Sequence, residues 1–139
     1  IGEQTSEEIK MAIGSAEATE GEFCAEVRGG ELMSGLPRTV VLTPEEVRDA
    51  IADPVATMVE SVVSCLGEAP PELAQDLIGQ GIHLVGGGAM LKGLDIRLAN
   101  ATGVPVQLVR QRLEAVVLVA GRVIDHYESL RVMFMDSRV

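Results

Sequence analysis

The sequence predicts an α/β fold, because short apolar runs typical of strands alternate with longer segments of helical periodicity. One such run, GIHLV at residues 81–85, is followed by three glycines and then by a helical pattern. Another, the β-branched run at residues 38–42, stands directly before a strong helix start at Thr43-Pro44-Glu45-Glu46. After that start, apolar side chains recur every three or four residues as far as Leu66, which is typical of a helix that packs on a core.

The composition limits the classes of protein to which the chain can belong. Its 139 residues suit one domain or half of a larger one, and a hydrophobic content of 47% favours a folded chain. A net charge of −10, with two Phe, one Tyr and no Trp, argues against a nucleic-acid partner, which requires cationic and stacking side chains. No apolar run is long enough to cross a bilayer, and no signal peptide is visible.

The two cysteines predict neither a disulfide nor a metal site. Cys24 and Cys65 lie far apart, with no second Cys or His at metal-binding spacing, so we expect reduced thiols in a cytosolic protein. The first residue is Ile rather than Met, which indicates a trimmed chain or a piece of a longer one.

The first helix is predicted from a capping-box pattern. Thr5-Ser6-Glu7-Glu8 places an N-cap at Thr5 and a helix as far as about Ile13, where Gly14 ends it. Glu7 and Lys10, three residues apart, then share one helix face. By itself this spacing indicates a solvated ion pair that contributes about 0.2–0.5 kcal/mol.

The remaining elements follow from the same rules. We predict strands at residues 23–27 and 38–42 with a loop at 29–37, a long helix at 44–66 ending at Gly67, a short helix at 71–78, a strand at 82–85, a helix at 94–101, a strand at 104–109 and a closing helix at 113–130. The tail at 131–139 has no assignment. The core-facing stripe of the long helix consists of Val47, Ile51, Val55, Met58, Val62 and Leu66. His83 is interpreted as a strand residue rather than a catalytic group, because no Ser, Cys or paired acid stands beside it.

The three glycines at 86–88 form the strongest candidate for a binding site. Glycine permits positive φ and lets a ligand approach the backbone, and the free N–H groups of such a turn favour an anionic or strongly polar group. A nucleotide is the natural candidate. Taken alone, the pattern is equally typical of a bare strand-to-helix connection.

The run GIHLVGGGAMLKGLDIRLANATG at 81–103 resembles the adenosine-side motif of the actin-like ATPases, and within them the MreB/Mbl family of bacterial cell-shape proteins. Further segments resemble the family in order: IGEQTSEEIK (1–10), IGSA (13–16), EVRGGEL (26–32), SGLPRTV (34–40) and PPELAQDLIGQGI (70–82). The resemblance covers most of residues 1–125. The chain departs from the family pattern at Arg110-Gln111-Arg112, where an acidic pair and Pro are usual, and at Leu118-Val119-Ala120-Gly121, where a small Gly-containing stretch is usual.

The resemblance implies the second half of the actin/Hsp70-like ATPase fold, a ribonuclease H-like sheet-and-helix subdomain with a small α+β subdomain inserted. It divides the chain into an adenosine-side helix (1–16), the strands of the small subdomain called IIB (17–43) and the large subdomain called IIA (44–139), which carries the glycine turn at 86–88. It also implies the site residues. Gly86, Gly87, Gly88 and Met90 would cradle the adenosine and neighbouring phosphate, while Glu7 and Lys10 resemble the pair that holds the ribose and adenine.

The function implied by the resemblance is that of a cytoplasmic, ATP-binding filament protein that determines cell shape by organising cell-wall synthesis. Its partners would be copies of itself or other MreB-like subunits and, indirectly, the cell-wall machinery at the inner membrane surface. The cofactor would be ATP or ADP, with Mg²⁺ held through the other half of the fold. No catalytic residue or metal ligand is assigned here, so the chain alone is not expected to hydrolyse ATP.

Two other hypotheses about the function of the chain stay open. The chain could be a truncated, non-catalytic homologue that docks on a full-length actin-like filament and modulates it. It could also be a half of another protein with the same fold, such as a sugar kinase or an Hsp70-type ATPase, because a fold does not fix function.

Overall fold

A computed structural model describes residues 1–135 of the chain, and its mixed helices and strands confirm the predicted α/β class. The elements are α1 (Glu3–Ile13), β1 (Ala25–Gly30), β2 (Pro37–Leu42), α2 (Pro44–Ala50), α3 (Ala52–Gly67), α4 (Pro71–Gln80), β3 (Ile82–Leu84), α5 (Leu94–Thr102), β4 (Val106–Leu108), α6 (Ala115–Asp125) and α7 (Tyr127–Met135). A short 3₁₀ turn, Gly87–Met90, lies between β3 and α5. Helix α7 includes the first part of the unassigned tail, whose last residues, 136–139, lie outside the described part.

Strands β1 and β2 form an antiparallel hairpin, paired from Ala25 opposite Leu42 to Gly30 opposite Pro37. Strand β1 therefore lies two to three residues later than predicted, because the pairing extends through Gly30 and leaves only residues 31–36 for the loop. The hairpin packs through Val27 against α1 and α2. This first core consists of Ile9, Ile13, Val27 and Val47, with Ala25 and Leu42 packed against it.

Strands β3 and β4 form a parallel pair in which Ile82 lies opposite Val106. The connection between them contains the 3₁₀ turn and α5, so the pair is a βαβ unit. Its inner side faces a second core made by Ala16, Val55, Val59, Leu94 and Leu98. Since α3 and α5 supply most of this core, the packing of these two helices holds the glycine turn in place.

The N-cap predicted at Thr5 is wrong. Helix α1 begins at Glu3, with Gly2 at the cap position and no side-chain cap. The first turn closes earlier because the Gly2 carbonyl accepts hydrogen bonds from the Ser6 N–H at 3.0 Å and the Ser6 hydroxyl at 3.1 Å. Glu8, which the capping box would use, instead accepts from the side chain of Gln4.

The single long helix predicted from residue 44 to 66 is also wrong, because it divides at Ile51 into α2 and α3. The two helices meet at an angle of 58°. Pro54 supplies the physical reason: it has no N–H with which to continue the hydrogen-bond ladder of α2, and it is tolerated in the first turn of a new helix. The restart changes the phase of the apolar stripe, so Val59 is buried while the predicted Met58 is 43% exposed.

The predicted closing helix is divided as well, at His126, into α6 and α7. Helix α6 has no buried residue in the described structure. Among the described residues no single helix combines the length and the apolar character needed to cross a membrane. The bent pair α2 and α3 meets that criterion only when both helices are counted together.

Candidate functional site

Glu7 and Lys10 form an ion pair on the surface of α1. The Lys10 Nζ lies 2.6 Å from Glu7 Oε2, and the two side chains are 44% and 57% exposed respectively. The shared helix face predicted from their spacing is confirmed. Because both groups remain in contact with water, the pair itself adds little stability.

The Glu7–Lys10 pair borders an open cleft of about 550 Å³ between α1 and α2. The cleft is lined by Ile1, Glu3, Ser6, Glu7, Ile9, Lys10, Leu42, Glu46, Val47, Ala50 and Ile51. Its volume falls within the range of roughly 300–1,000 Å³ that is usual for small-molecule sites. An apolar floor with a carboxylate and an ammonium at the wall fits a ligand that carries both an apolar ring and hydroxyl groups.

The glycine turn, Gly86, Gly87 and Gly88, follows β3 directly. Gly86 has φ of 82°, a conformation that other residues rarely adopt, so the turn requires glycine here. A Cβ placed on Gly86 or Gly88 would meet no atom within 4 Å, which shows that the backbone of the turn faces open space. After the glycines, Ala89 is 3% exposed and anchors the turn in the protein, while Met90 is exposed.

Helix α1 and the glycine turn are connected by the segments that follow them. Ser15 and Lys92 form a parallel bridge, in which the Ala16 N–H donates to the Lys92 carbonyl at 2.7 Å. The Lys92 ammonium donates to the Ala12 carbonyl, at the C-terminal end of α1, at 3.2 Å. A cation at this end of a helix is favourable, because the last carbonyls of the helix are unpaired and carry partial negative charge.

Gly93 allows this close approach. It has φ of 73°, and a Cβ at this position would lie 3.0 Å from the Glu17 nitrogen. An ion pair between Arg97 and Glu17, at 3.0 Å, continues the connection into α5. The structure thus brings together the end of α1 and the exit of the glycine turn. The cleft beside Glu7 and Lys10 is not itself lined by the three glycines.

A polar cluster that the sequence did not reveal stands beside this connection. Ser15 is 1% exposed, and its hydroxyl donates to Glu22 at 3.3 Å and accepts from Arg48 at 3.0 Å. Arg48 also forms an ion pair with Glu22. The backbone N–H of Thr19 donates to Glu22 at 2.9 Å, and this bond, followed by the contact with Arg48, holds the pKa of the Glu22 carboxyl below its ordinary value.

No local pattern could have identified this cluster, because Arg48 is 33 residues from Ser15 and 26 from Glu22. The Nε atom of Arg48 is buried and has no hydrogen-bond partner among the described residues. The cluster attaches the segment between α1 and β1 to α2. It therefore positions the bridge that holds α1 beside the glycine turn.

Arg112 is a second residue whose place the sequence did not predict. The Gly86 N–H donates to the Arg112 carbonyl at 2.8 Å, and the Arg112 guanidinium donates to the Ala89 carbonyl at 2.9 Å. The same residue therefore holds both sides of the glycine turn. The only sequence signal was the departure from the family pattern at Arg110-Gln111-Arg112.

The described residues include no group of three or more His, Cys, Asp or Glu side chains that could hold a metal ion. His83 lies in β3, where it pairs with Gln107 of β4, as expected for a strand residue.

Comparison with known proteins shows the family. The family model described as MreB/Mbl protein matches residues 1–132. The cell shape-determining protein Mbl of Bacillus cereus is 35% identical over 130 residues, which are 94% of this chain and 39% of that protein. The cell shape-determining protein MreB of Escherichia coli is 39% identical over 125 residues, 90% of this chain and 36% of that protein.

Solved structures agree with the sequence relatives. MreB5 of Spiroplasma citri bound to AMPPNP superimposes with a TM-score of 0.87 at 27% identity, covering 93% of this chain and 39% of that one. The same protein bound to ADP gives a TM-score of 0.84. The predicted actin-like fold is therefore confirmed, and the chain spans a little over a third of the length of these relatives. With the match running from residue 1 to residue 132, the chain belongs to the MreB/Mbl family and is an MreB-like actin homologue.

Proposed function

We propose that this chain is the C-terminal, adenosine-binding part of an actin-like filament protein, and that it binds ATP or ADP between α1 and the glycine turn. The observation that carries the proposal is the bridge between Ser15 and Lys92, which ties α1 to the exit of the turn. MreB5 of Spiroplasma citri, which has the same fold, was solved with ADP and with AMPPNP. The two elements that the family resemblance assigns to adenosine are thus neighbours in this chain.

Each site residue has a role that its chemistry supports. The carboxylate of Glu7 accepts hydrogen bonds from ribose hydroxyl groups, and the ammonium of Lys10 donates to acceptors on the ribose or the adenine ring. Gly86, Gly87 and Gly88 let the nucleotide approach the backbone, and the exposed Met90 covers one face of the adenosine.

The chain alone binds a nucleotide without hydrolysing it. Phosphoryl transfer requires phosphate-binding groups, a Mg²⁺ ligand and a residue that positions water. The family resemblance places these groups in the part of the relatives that this chain does not cover. In a complete assembly the proposed protein forms cytoplasmic filaments with itself or with other MreB-like subunits at the inner face of the cell membrane. There it determines cell shape by organising the cell-wall synthesis machinery.

The binding proposal is tested by titrating the purified chain with ADP while the amide signals of the glycine turn are followed by NMR. We expect saturable shifts at Gly86, Gly87 and Gly88, and a loss of affinity of about tenfold in Lys10→Met, since one charge-assisted hydrogen bond is removed. The matched control is Arg38→Met, which removes the cation of another exposed ion pair that does not line the cleft. An unshifted glycine turn at saturating ADP would show that the proposal is wrong.

A second candidate function is a truncated, non-catalytic homologue that docks on a full-length actin-like filament and modulates it. Helix α6 favours it, since Val116, Val117, Val119 and Ile124 are each more than half exposed and offer an apolar surface. The two candidates are separated by co-sedimentation of the chain with a full-length filament. Binding that is independent of nucleotide supports the docking function.

A further inference from the structure

Residue 112 holds the glycine turn at two points. Its carbonyl accepts the Gly86 N–H at 2.8 Å, and its guanidinium donates to the Ala89 carbonyl at 2.9 Å. The backbone that makes this possible is unusual, since Gln111 is a non-glycine residue with φ of 55°. The Glu114 N–H then donates to the Gln111 carbonyl at 3.1 Å and closes a tight turn around Arg112.

The positive charge of Arg112 is not neutralised by a partner in the described part of the chain. The ion pairs found there involve Lys10, Arg38, Arg48 and Arg97. Among the described residues, the guanidinium of Arg112 donates only to the backbone carbonyl of Ala89. A guanidinium carries several further N–H donors in a fixed planar arrangement. Arg112 is also partly buried, so its charge is held beside the turn rather than moving freely in solvent.

Space for a ligand lies beside this charge. A Cβ on Gly86 or Gly88 would meet nothing within 4 Å, and one on Gly87 would meet only the Leu113 side chain at 3.8 Å. A backbone free of side chains therefore stands next to a guanidinium that has no ion-pair partner among residues 1–135. The Gly86 N–H is occupied by the Arg112 carbonyl, so an anionic group would accept from the guanidinium and from the N–H groups of Gly87 and Gly88. A guanidinium is well suited to phosphate because it can donate two parallel hydrogen bonds.

We infer that Arg112 is a phosphate-binding residue of the nucleotide site, which contacts a phosphate oxygen of a nucleoside diphosphate or triphosphate seated on the glycine turn. This inference rests on the proposed function. It adds to it a residue at a position where the family pattern has a different side chain. It also assigns to the chain a cationic contact that does not depend on the other half of the fold.

The test compares adenosine with ADP as probes for the wild-type chain and for Arg112→Gln, Arg112→Lys and the matched control Arg110→Gln. Arg110 is exposed, lies two residues away and makes no hydrogen bond to the turn in the described structure. We expect wild type to bind ADP at least about tenfold more tightly than adenosine. Arg112→Gln should weaken the binding of ADP by about ten- to a hundredfold and leave the affinity for adenosine unchanged. Arg112→Lys should retain part of the ADP affinity. The control Arg110→Gln should bind both ligands as wild type does.

The outcomes separate this inference from the proposed function. If neither ligand shifts the glycine amides of the wild-type chain, the proposed function fails and Arg112 has no role in it. If both ligands bind wild type equally, nucleotide binding stands and the phosphate contact is overturned, whatever the variants do. An equal loss of adenosine and ADP in Arg112→Gln would show that the residue only shapes the turn.

Discussion

At the scale of single residues, the contacts that matter most are made by side chains far apart in sequence. Ser15, Glu22 and Arg48 form a partly buried cluster that attaches the segment after α1 to α2. Its three side chains are hydrogen-bonded to one another, although the buried Arg48 Nε has no partner among the described residues. Such pairing matters because an unpaired polar group in the interior costs more than its hydrogen bond would contribute. The cluster also lowers the pKa of the Glu22 carboxyl.

Glu22 makes the stability of the chain dependent on pH in a predictable direction. Hydrogen bonds from the Thr19 N–H and from Arg48 lower its pKa below the ordinary value of 4.5. A depressed pKa means that the ionised carboxylate stabilises the fold above pH 4.5 and that this stabilisation is lost as the pH falls through the folded-state pKa. We therefore expect Glu22→Gln to be less stable than wild type at pH 7, with a difference that shrinks at acidic pH.

The measurement is the midpoint of urea unfolding for both proteins between pH 7 and pH 3. Glu45→Gln is the control for the loss of one carboxylate, because the Glu45 side chain makes no hydrogen bond or ion pair with the described residues. A difference between wild type and Glu22→Gln that stays constant over the whole range would contradict this account.

At the scale of secondary structure, two Thr-x-x-Glu patterns predict a helix start, at Thr5 and at Thr43, and only one of these two caps a helix. Thr43 accepts from the Glu46 N–H at 3.2 Å, while the Thr43 N–H donates to the Glu46 carboxylate at 2.9 Å. The same pattern at Thr5 lies inside α1. Two local features explain the difference. Pro44 cannot occupy a helix interior, so the helix starts there, whereas the hydrogen bond from the Ser6 N–H to the Gly2 carbonyl closes a helical turn that already contains Thr5.

These two threonines provide a matched pair of variants. Thr43→Ala should lower the free energy of unfolding by about 1 kcal/mol, because the cap of α2 is lost. Thr5→Ala should change it by only a few tenths of a kcal/mol, roughly zero or slightly stabilising, because alanine has the higher helix propensity inside a helix. Urea denaturation monitored by circular dichroism measures both. Equal losses in the two variants would mean that Thr5 caps α1 in solution.

At the scale of the whole molecule, the described chain has two cores and an apolar helix, α6, that neither core covers. The hairpin with α1 and α2 surrounds the first core, and α3 with α5 and the β3–β4 pair surrounds the second. Helix α6 is rich in apolar residues yet has none buried. A helix that is apolar on most sides normally lies in a protein interior, which is consistent with a chain that spans 39% of the Mbl relative.

We expect the isolated chain to self-associate mainly through the exposed apolar residues of α6. The double variant Val116→Glu and Ile124→Glu should leave the unfolding free energy within about 0.5 kcal/mol of wild type, because both side chains are exposed. It should reduce self-association in size-exclusion chromatography and the fluorescence of a bound hydrophobic dye. The control is Leu32→Glu with Met33→Glu, which changes two exposed apolar residues in the hairpin loop. If both double variants reduced self-association and dye fluorescence equally, the association would not depend on α6 in particular.

Much of the fold could be predicted from local pattern. The hairpin strands, the cap at Thr43, the helix after Pro71 and the strand before the glycine turn all appear close to the predicted positions. Two helix boundaries were predicted wrongly, each for a local reason. Pro54 divides the predicted long helix, and the turn at Gly2 moves the start of α1. The face that Glu7 and Lys10 share was predictable because three-residue spacing fixes it in any helix.

What the sequence by itself determined is therefore the class of fold, most of its elements, the family and the two segments proposed to bind adenosine. These depend on short-range periodicity, turn chemistry and ordered motifs, which are all present in a linear chain. Only the tertiary structure decided that Ser15 joins Lys92, that Arg48 reaches Glu22 and that Arg112 holds the glycine turn. Such contacts link residues tens of positions apart, and the packing of α1, α3 and α5, rather than any local preference, determines which of them meet.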